Sequence, residues 1–259
     1  MPPADFASFA CELASSARRE TLARFQKDYA IEDKGFDLYD PVTEADRAAE
    51  AVMRELIQER FAEHGISGEE FPARPAQGPF TWSLDPIDGT RSYIAGLPTW
   101  TTLIALLDDG QPILGLIDAP CLDETYVGKG GEAAIIRKGE RSPIRTSGRK
   151  HINEARFSTT DPYLFGVAAG ALQQVLGKVQ VTRYGHDGYA YARLAAGSID
   201  LVIENGLKPH DYNALIPIVR AAGGHFGDWL GGNDFAAGNV IAAASRELYD
   251  EAVALLCDA

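Results

Sequence analysis

The sequence predicts a layered protein of two unlike halves, α+β through residue 145 and α/β from residue 146 to 259. Three observations predict it. Two stretches in the first 63 residues repeat their apolar side chains at three- and four-residue steps. Short β-like runs separated by turns fill Phe80 to Arg137, and from Arg156 onward strand-like and helix-like runs alternate. A chain of 259 residues, 46% hydrophobic and 24% charged, has core enough for either one large domain or two modest ones.

The elements follow in order. A helix is predicted over residues 5–29, where Phe6, Phe9, Ala10, Leu13 and Ala14 share one face. Asp33–Pro41 is polar and punctuated by Gly and Pro, which reads as a loop. A second helix covers residues 44–63, with Ala45, Ala49, Val52, Met53, Leu56 and Ile57 at helical spacing. Trp100–Leu107, Ile113–Ile117, Thr125–Val127 and Ala133–Ile136 read as strands, and Asp109-Gly110 is a hairpin signal. In the second half, strands are predicted at Arg156–Thr159, Val179–Arg183, Asp200–Glu204 and Val240–Ala242. Helices alternate with them at Tyr163–Leu176, Tyr189–Ala196, Asp211–Ala222 and Glu247–Leu256, and Gly223-Gly224 stops the third.

Charge excludes several functions. With 24 Lys plus Arg against 37 Asp plus Glu, the net charge is -13, and no basic stripe exists to neutralise nucleic-acid phosphates. The uncharged runs Ser92–Leu107 and Pro162–Gly177 are too short and broken to span a bilayer, so no membrane partner is expected. The N-terminal stretch carries Asp5, lacks an early basic cluster and does not read as a secretory signal. Cys11, Cys121 and Cys257 form neither a CxxC site nor a disulfide framework, which fits a reducing cytoplasm. An acidic protein that takes a phosphorylated substrate needs something to cancel the repulsion, and divalent cations do this.

The most unusual segment is Trp82-Ser-Leu-Asp85-Pro86-Ile87-Asp88-Gly89-Thr90. An apolar strand runs into Asp85, and Pro86 prevents it from continuing as a central ladder member. Two carboxylates three residues apart around a tight bend can converge on one cation, while the Gly89 and Thr90 amides face a phosphate. Other acids have ordinary structural readings beside a ligating one. Asp46 in Thr43-Glu-Ala-Asp46 fits a helix capping box, Gly68-Glu69-Glu70 fits a solvated turn, and Asp211 fits a helix N-cap. Together with Asp85 and Asp88 they supply the several hard oxygens that a Mg²⁺ site wants.

These segments resemble the inositol monophosphatase superfamily of Mg²⁺-dependent, Li⁺-sensitive phosphatases. The likeness rests on Asp40-Pro-Val-Thr-Glu-Ala-Asp46, Gly68-Glu69-Glu70, Leu84-Asp-Pro-Ile-Asp-Gly-Thr90, and Lys208-Pro-His-Asp211 through Ala221-Ala-Gly-Gly224. It implies an α-β-α-β-α sandwich, a homodimer, and two or three Mg²⁺ ions in an active site between the halves. By this resemblance Glu69, Asp85 and the Ile87 carbonyl hold one ion. Asp85, Asp88 and Asp211 hold a second, and Glu69 helps with a third. Asp46 and Thr90 activate the attacking water, Gly89 and Thr90 bind the phosphate through their amides, and no residue becomes phosphorylated.

Within the superfamily the chain is especially similar to the histidinol-phosphatase branch, through Arg183–Tyr191, Leu207–Val219 and Gly96-Leu-Pro-Thr-Trp100. Histidinol phosphate carries an amine and an imidazole; the resemblance gives it Glu204 as a carboxylate partner, and the charge of Asp187 makes that residue a candidate second. Glu204 as a strand-end surface acid and Asp187 as the N-cap of the helix at 189–196 are the structural alternatives. The departures cluster at this wall: His186, Gly188, Asn205, His210, Tyr212 and Asn213 all differ from the usual pattern of that branch. Inositol monophosphates and 3′-phosphoadenosine 5′-phosphate are the other expected substrates, and a silent metal- or phosphoester-binding protein is the non-enzyme alternative. The D-x-x-D spacing with an internal Pro argues against a D-x-D aspartyl phosphatase. Gly128-Lys-Gly-Gly131 lacks the spacing of a P-loop, and no GxSxG elbow is present.

Overall fold

The computed structural model describes residues 5–27, 31–33 and 41–257. Helix α1 (Phe6–Arg24) is capped by the Asp5 carboxylate, which accepts the Ala7 and Ser8 amides. It ends short of the predicted residue 29. Phe25 turns out of the helix in extended conformation, its ring centre 5.2 Å from Tyr93 and 5.6 Å from Trp100, so packing overrides local propensity. Residues 28 and 29 of that predicted helix, residues 34–40 of the predicted loop, and with them Asp40, lie outside the described residues. β1 (Ile31–Asp33) and β2 (Pro41–Thr43) pair antiparallel at the flanks of that loop. α2 (Glu44–Arg60) begins at the predicted capping box and ends before the predicted residue 63.

The seven-stranded sheet comprises β3 (Gly65–Gly68), β4 (Phe80–Asp88), β5 (Thr101–Asp108), β6 (Gln111–Ala119), β7 (Glu124–Lys129), β8 (Glu132–Arg137) and β9 (Glu140–Pro143), in that spatial order. Only β3 runs parallel to its neighbour. The predicted strands of this half lie in β5 to β8; the short edge strands β3 and β9 are additions to the sequence reading. The ladder between β4 and β5 breaks between Asp85 and Asp88, where Pro86 has no N–H to give. Gly89 follows at φ 82, and α3 (Thr90–Ile94) begins.

The second half contains β10 (Arg156–Thr159), α4 (Ala169–Leu176), β11 (Val181–Tyr184), α5 (Asp187–Ala195), β12 (Leu201–Glu204), α6 (Pro209–Tyr212), α7 (Leu215–Ala221), β13 (His225–Gly227), β14 (Val240–Ala243) and α8 (Arg246–Cys257). Its five strands lie in the order β11-β10-β12-β14-β13, with β10 parallel to both neighbours and β14 antiparallel to both of its own. Two predicted helices are corrected. Tyr163–Leu176 is a 3₁₀ segment from Pro162 to Ala168 and then α4, broken by Gly166 at φ 50. Asp211–Ala222 is split into α6 and α7. Pro217 would clash inside one long helix, and the break puts it in the first turn of α7, where its missing N–H costs nothing.

Alternation along the strands builds the layers. On β5, Ile104 and Leu106 join the core beneath α1 and α2, whereas Leu103 and Ala105 face α5 and α7. On β12, Val202 faces that same central layer, and Leu201 and Ile203 face the core made with α4 and α8. The result is the α-β-α-β-α sandwich. α7 rests directly on the first sheet, because a Cβ at Gly115 would stand 2.0 Å from the Ala214 carbonyl oxygen and one at Gly128 would stand 2.4 Å from the Ile218 Cα. A buried hydrogen bond of 3.2 Å from Asn213 Nδ2 to Ser83 Oγ ties the α6–α7 junction to β4.

Candidate active site

The end of β4, the start of α6 and the start of α5 meet at one point. Carboxylate oxygens of Asp85, Asp88 and Asp211 all lie within 4.8 Å of one another. Asp85 is 2% exposed, and its Oδ1 has no hydrogen-bond partner among the described residues. Asp88 Oδ2 accepts the Gly188 amide at 2.6 Å and the Thr101 hydroxyl at 2.9 Å. Asp211 Oδ2 accepts the Lys208 amide at 2.7 Å, and His210 Nε2 stands 3.3 Å from Oδ1. Asp211 therefore sits in the first turn of α6 and closes back on Lys208, rather than acting as the N-cap itself.

Electrostatics show what the cluster lacks. The carboxyl pKa values of Asp85 and Asp88 are pushed well above the usual range, first by burial and then by neighbouring carboxylates. For Asp85 the strongest charges are all negative: Glu69, Asp88, Asp211 and Asp46. Asp211 is raised by burial too. A group of hard oxygens, one of them orphaned, and crowded by like charge fits a divalent cation. Glu69 lies close enough to bear on Asp85, Asp46 and Asp211, although it is outside the tight trio.

Asp46 is both a capping-box residue and a neighbour of the cluster. Its Oδ2 accepts the Thr43 amide at 2.8 Å and the Thr43 hydroxyl at 2.6 Å, and burial lifts its pKa to about 7. The Thr90 hydroxyl donates to the Ile87 carbonyl at 3.1 Å, so in this structure Thr90 and Asp46 are each engaged elsewhere. Gly89 is required twice, by its positive φ and because a Cβ there would stand 2.8 Å from Asp187 Oδ2.

Beside the cluster opens a cavity of about 260 Å³. Its wall includes Asp88, Asp187, Glu204 and Asp211, with Arg91 as the guanidinium. Glu204 is 4% exposed, which excludes the surface-acid alternative. It accepts the Thr160 amide at 2.6 Å, the Thr160 hydroxyl at 2.9 Å and the Thr159 hydroxyl at 3.1 Å, and burial lifts its pKa to about 8. His186 occupies the N-cap of α5, and Asp187 lies in its first turn at φ 45, which excludes the N-cap alternative for Asp187. Burial raises the Asp187 pKa as well. Sequence reasoning missed Gly188, Thr101 and Thr160. Their contacts with Asp88 and Glu204 cross long stretches of chain, and the only signal was that Gly188 departs from the expected pattern.

A model of the inositol monophosphatase family matches residues 3–259. The chain belongs to the inositol monophosphatase family. This phosphatase is 40% identical over 260 residues to the bifunctional phosphatase IMPL2, chloroplastic, of Arabidopsis thaliana, a match covering 96% of this chain and 74% of that one. It is 32% identical to a histidinol-phosphatase of Chlorobaculum parvum, over 92% of each chain. Among solved structures it is similar to an inositol monophosphatase from Zymomonas mobilis, with a TM-score of 0.85 and 37% identity over 97% of each chain. The family is one of metal-dependent phosphatases of small phosphorylated metabolites, and the carboxylate trio of this member has the donors for such a metal. Among the described residues, no helix is long and apolar enough to cross a membrane.

Proposed function

We propose that this phosphatase hydrolyses histidinol phosphate with Mg²⁺ as its cofactor. The observation that carries the substrate is the acidic wall of the cavity: Asp187 and Glu204 stand beyond the Asp85–Asp88–Asp211 trio, with Arg91 the guanidinium on that wall. An inositol ring has no charge to balance these acids, whereas an amine or imidazolium has. The histidinol-phosphatases among the relatives support the same reading.

Asp85, Asp88, Asp211, Glu69 and the Ile87 carbonyl would hold two or three ions. When bound, Mg²⁺ supplies Lewis acidity and neutralises phosphoryl charge. The Gly89 and Thr90 amides, at the start of α3, orient the phosphate. Asp46, with a pKa of about 7 and its Oδ2 occupied by Thr43, takes the proton of the attacking water at Oδ1. Thr90 turns its hydroxyl from Ile87 toward that water. Thr101 and the Gly188 amide fix Asp88, and Asp187 with Glu204 binds the cationic end of the substrate. We further infer a cytoplasmic homodimer, inhibition by Li⁺, and two halves divided near residue 145, on the strength of the family resemblance.

A kcat/KM panel at saturating Mg²⁺ over histidinol phosphate, inositol 1-phosphate and 3′-phosphoadenosine 5′-phosphate tests the assignment. Histidinol phosphate should lead. A lead for inositol 1-phosphate would favour the second reading, which has its own support: Glu204 already engages Thr159 and Thr160. Phosphate release from none of the three, or release without Mg²⁺, would defeat the proposed function.

A further inference from the structure

On α2, Asp46, Glu50 and Arg54 recur every four residues and share one face. Asp46 has a place in the chemistry above; Glu50 and Arg54 do not. Yet Glu50 is 0% exposed, a position that a carboxylate occupies only when its oxygens are engaged. Its Oε2 accepts the Glu70 amide at 2.7 Å and its Oε1 accepts Arg54 Nε at 2.7 Å. Arg54 Nη2 donates onward to the Phe71 carbonyl at 3.0 Å, and its guanidinium lies 5.6 Å from the Phe71 ring centre. On the other side of Glu69, a Cβ at Gly68 would stand 2.0 Å from Glu50 Oε1. The Gly68–Phe71 turn is thus seated on Glu50 before Glu69 and hydrogen-bonded to Glu50 and Arg54 after it.

We propose that the Glu50–Arg54 pair, with its carboxylate fully buried, is a positioning device for Glu69. The pair grips main-chain groups, so it leaves the Glu69 carboxylate to face the Asp85 cluster. Its two charges cancel, so it adds nothing to the repulsion that would otherwise swing an acidic turn away from Asp46 and Asp85. Glutamine at position 50 would still accept the Glu70 amide, but it would turn an NH₂ toward the Arg54 donor. The inference deepens the proposed site, since it rests on the reading of Glu69 as a Mg²⁺ ligand.

The test is Mg²⁺ affinity of the full chain, by calorimetry and by the half-saturating Mg²⁺ of phosphatase activity, in Glu50→Ala, Arg54→Met and Glu69→Gln. Glu50→Ala should weaken Mg²⁺ binding about tenfold, with a smaller loss in the same direction for Arg54→Met. KM for the phosphomonoester at saturating Mg²⁺ should change far less. Wild-type Mg²⁺ affinity in folded Glu50→Ala, even with a lowered melting temperature, reduces the pair to a structural role and overturns the proposal. If Glu50→Ala does not fold, Arg54→Met decides by the same criterion. An unchanged affinity in Glu69→Gln defeats the metal reading of Glu69 itself, whereas weakening there with no weakening in the other two defeats only the positioning role.

Discussion

The Gly188 amide lies 2.6 Å from Asp88 Oδ2, so the first turn of α5 holds a carboxylate that β4 delivers from the seven-stranded sheet. The bond anchors Asp88 beside Asp85 and Asp211, and a side chain at position 188 would displace it. A Cβ at position 188 would stand 2.6 Å from Asp88 Oδ2 and 2.9 Å from Thr101 Oγ1.

Gly188→Ala should therefore lower kcat/KM by about tenfold or more through misplacement of Asp88, while overpacking of this kind costs about 1–3 kcal/mol of stability and leaves the protein folded. Steady-state kinetics with a thermal melt checks this. Wild-type kinetics in the variant would mean that the contact is dispensable.

Asp88→Asn removes a carboxylate charge from a crowded trio. Turnover should fall roughly 100-fold or more, yet the metal-free melting temperature should hold or rise, since like-charge repulsion is relieved. Calorimetric melts with and without Mg²⁺, paired with activity, measure both. Undiminished turnover would remove Asp88 from the ligand set.

The raised carboxyl pKa values give the metal-free protein an inverted pH dependence. Asp46 and Glu204 have folded values of about 7 and about 8, above those of the unfolded chain, so folding favours their protonated forms. The stability they lend is present below the unfolded pKa and is lost as pH rises toward 7 and 8. Without metal, the melting temperature should fall between pH 5 and 8.5, and added Mg²⁺ should raise it more at the upper end. A flat metal-free profile would contradict the burial argument.

Glu204→Gln keeps the shape of the side chain and removes its charge. Above pH 8, where Glu204 is ionised, KM for histidinol phosphate should rise about tenfold, with little change for inositol 1-phosphate. In the wild type, KM for histidinol phosphate should drop as pH rises toward 8, because ionised Glu204 is the form that attracts a cation. Equal KM changes for both substrates in Glu204→Gln would place the cationic end elsewhere.

What could be read from the sequence was local. Asp85-Pro86-Ile87-Asp88-Gly89-Thr90 declares itself because the proline, the glycine and both carboxylates act within a single bend, and the Thr43–Asp46 capping box is equally short-range. The layers follow from alternation along β5 and β12. What escaped depended on partners far along the chain. Glu50 looks like any helix-face acid until Gly68 and Glu70 cover it. The apolar spacing of residues 211–222 hid a break that Pro217 imposes. Gly188 looked like a mere deviation because Asp88, its partner, lies 100 residues away on β4.

The bare strip under α7 carries a last implication. Gly115 and Gly128 let that helix lie flush on β6 and β7, and Asp211 is carried three residues ahead of the contact at Ala214. One methyl group at either glycine would lift the helix like a shim under a beam and tilt Asp211 out of reach of Asp85. The catalytic tolerance of the enzyme is thus set partly by two residues that touch no substrate and carry no side chain at all.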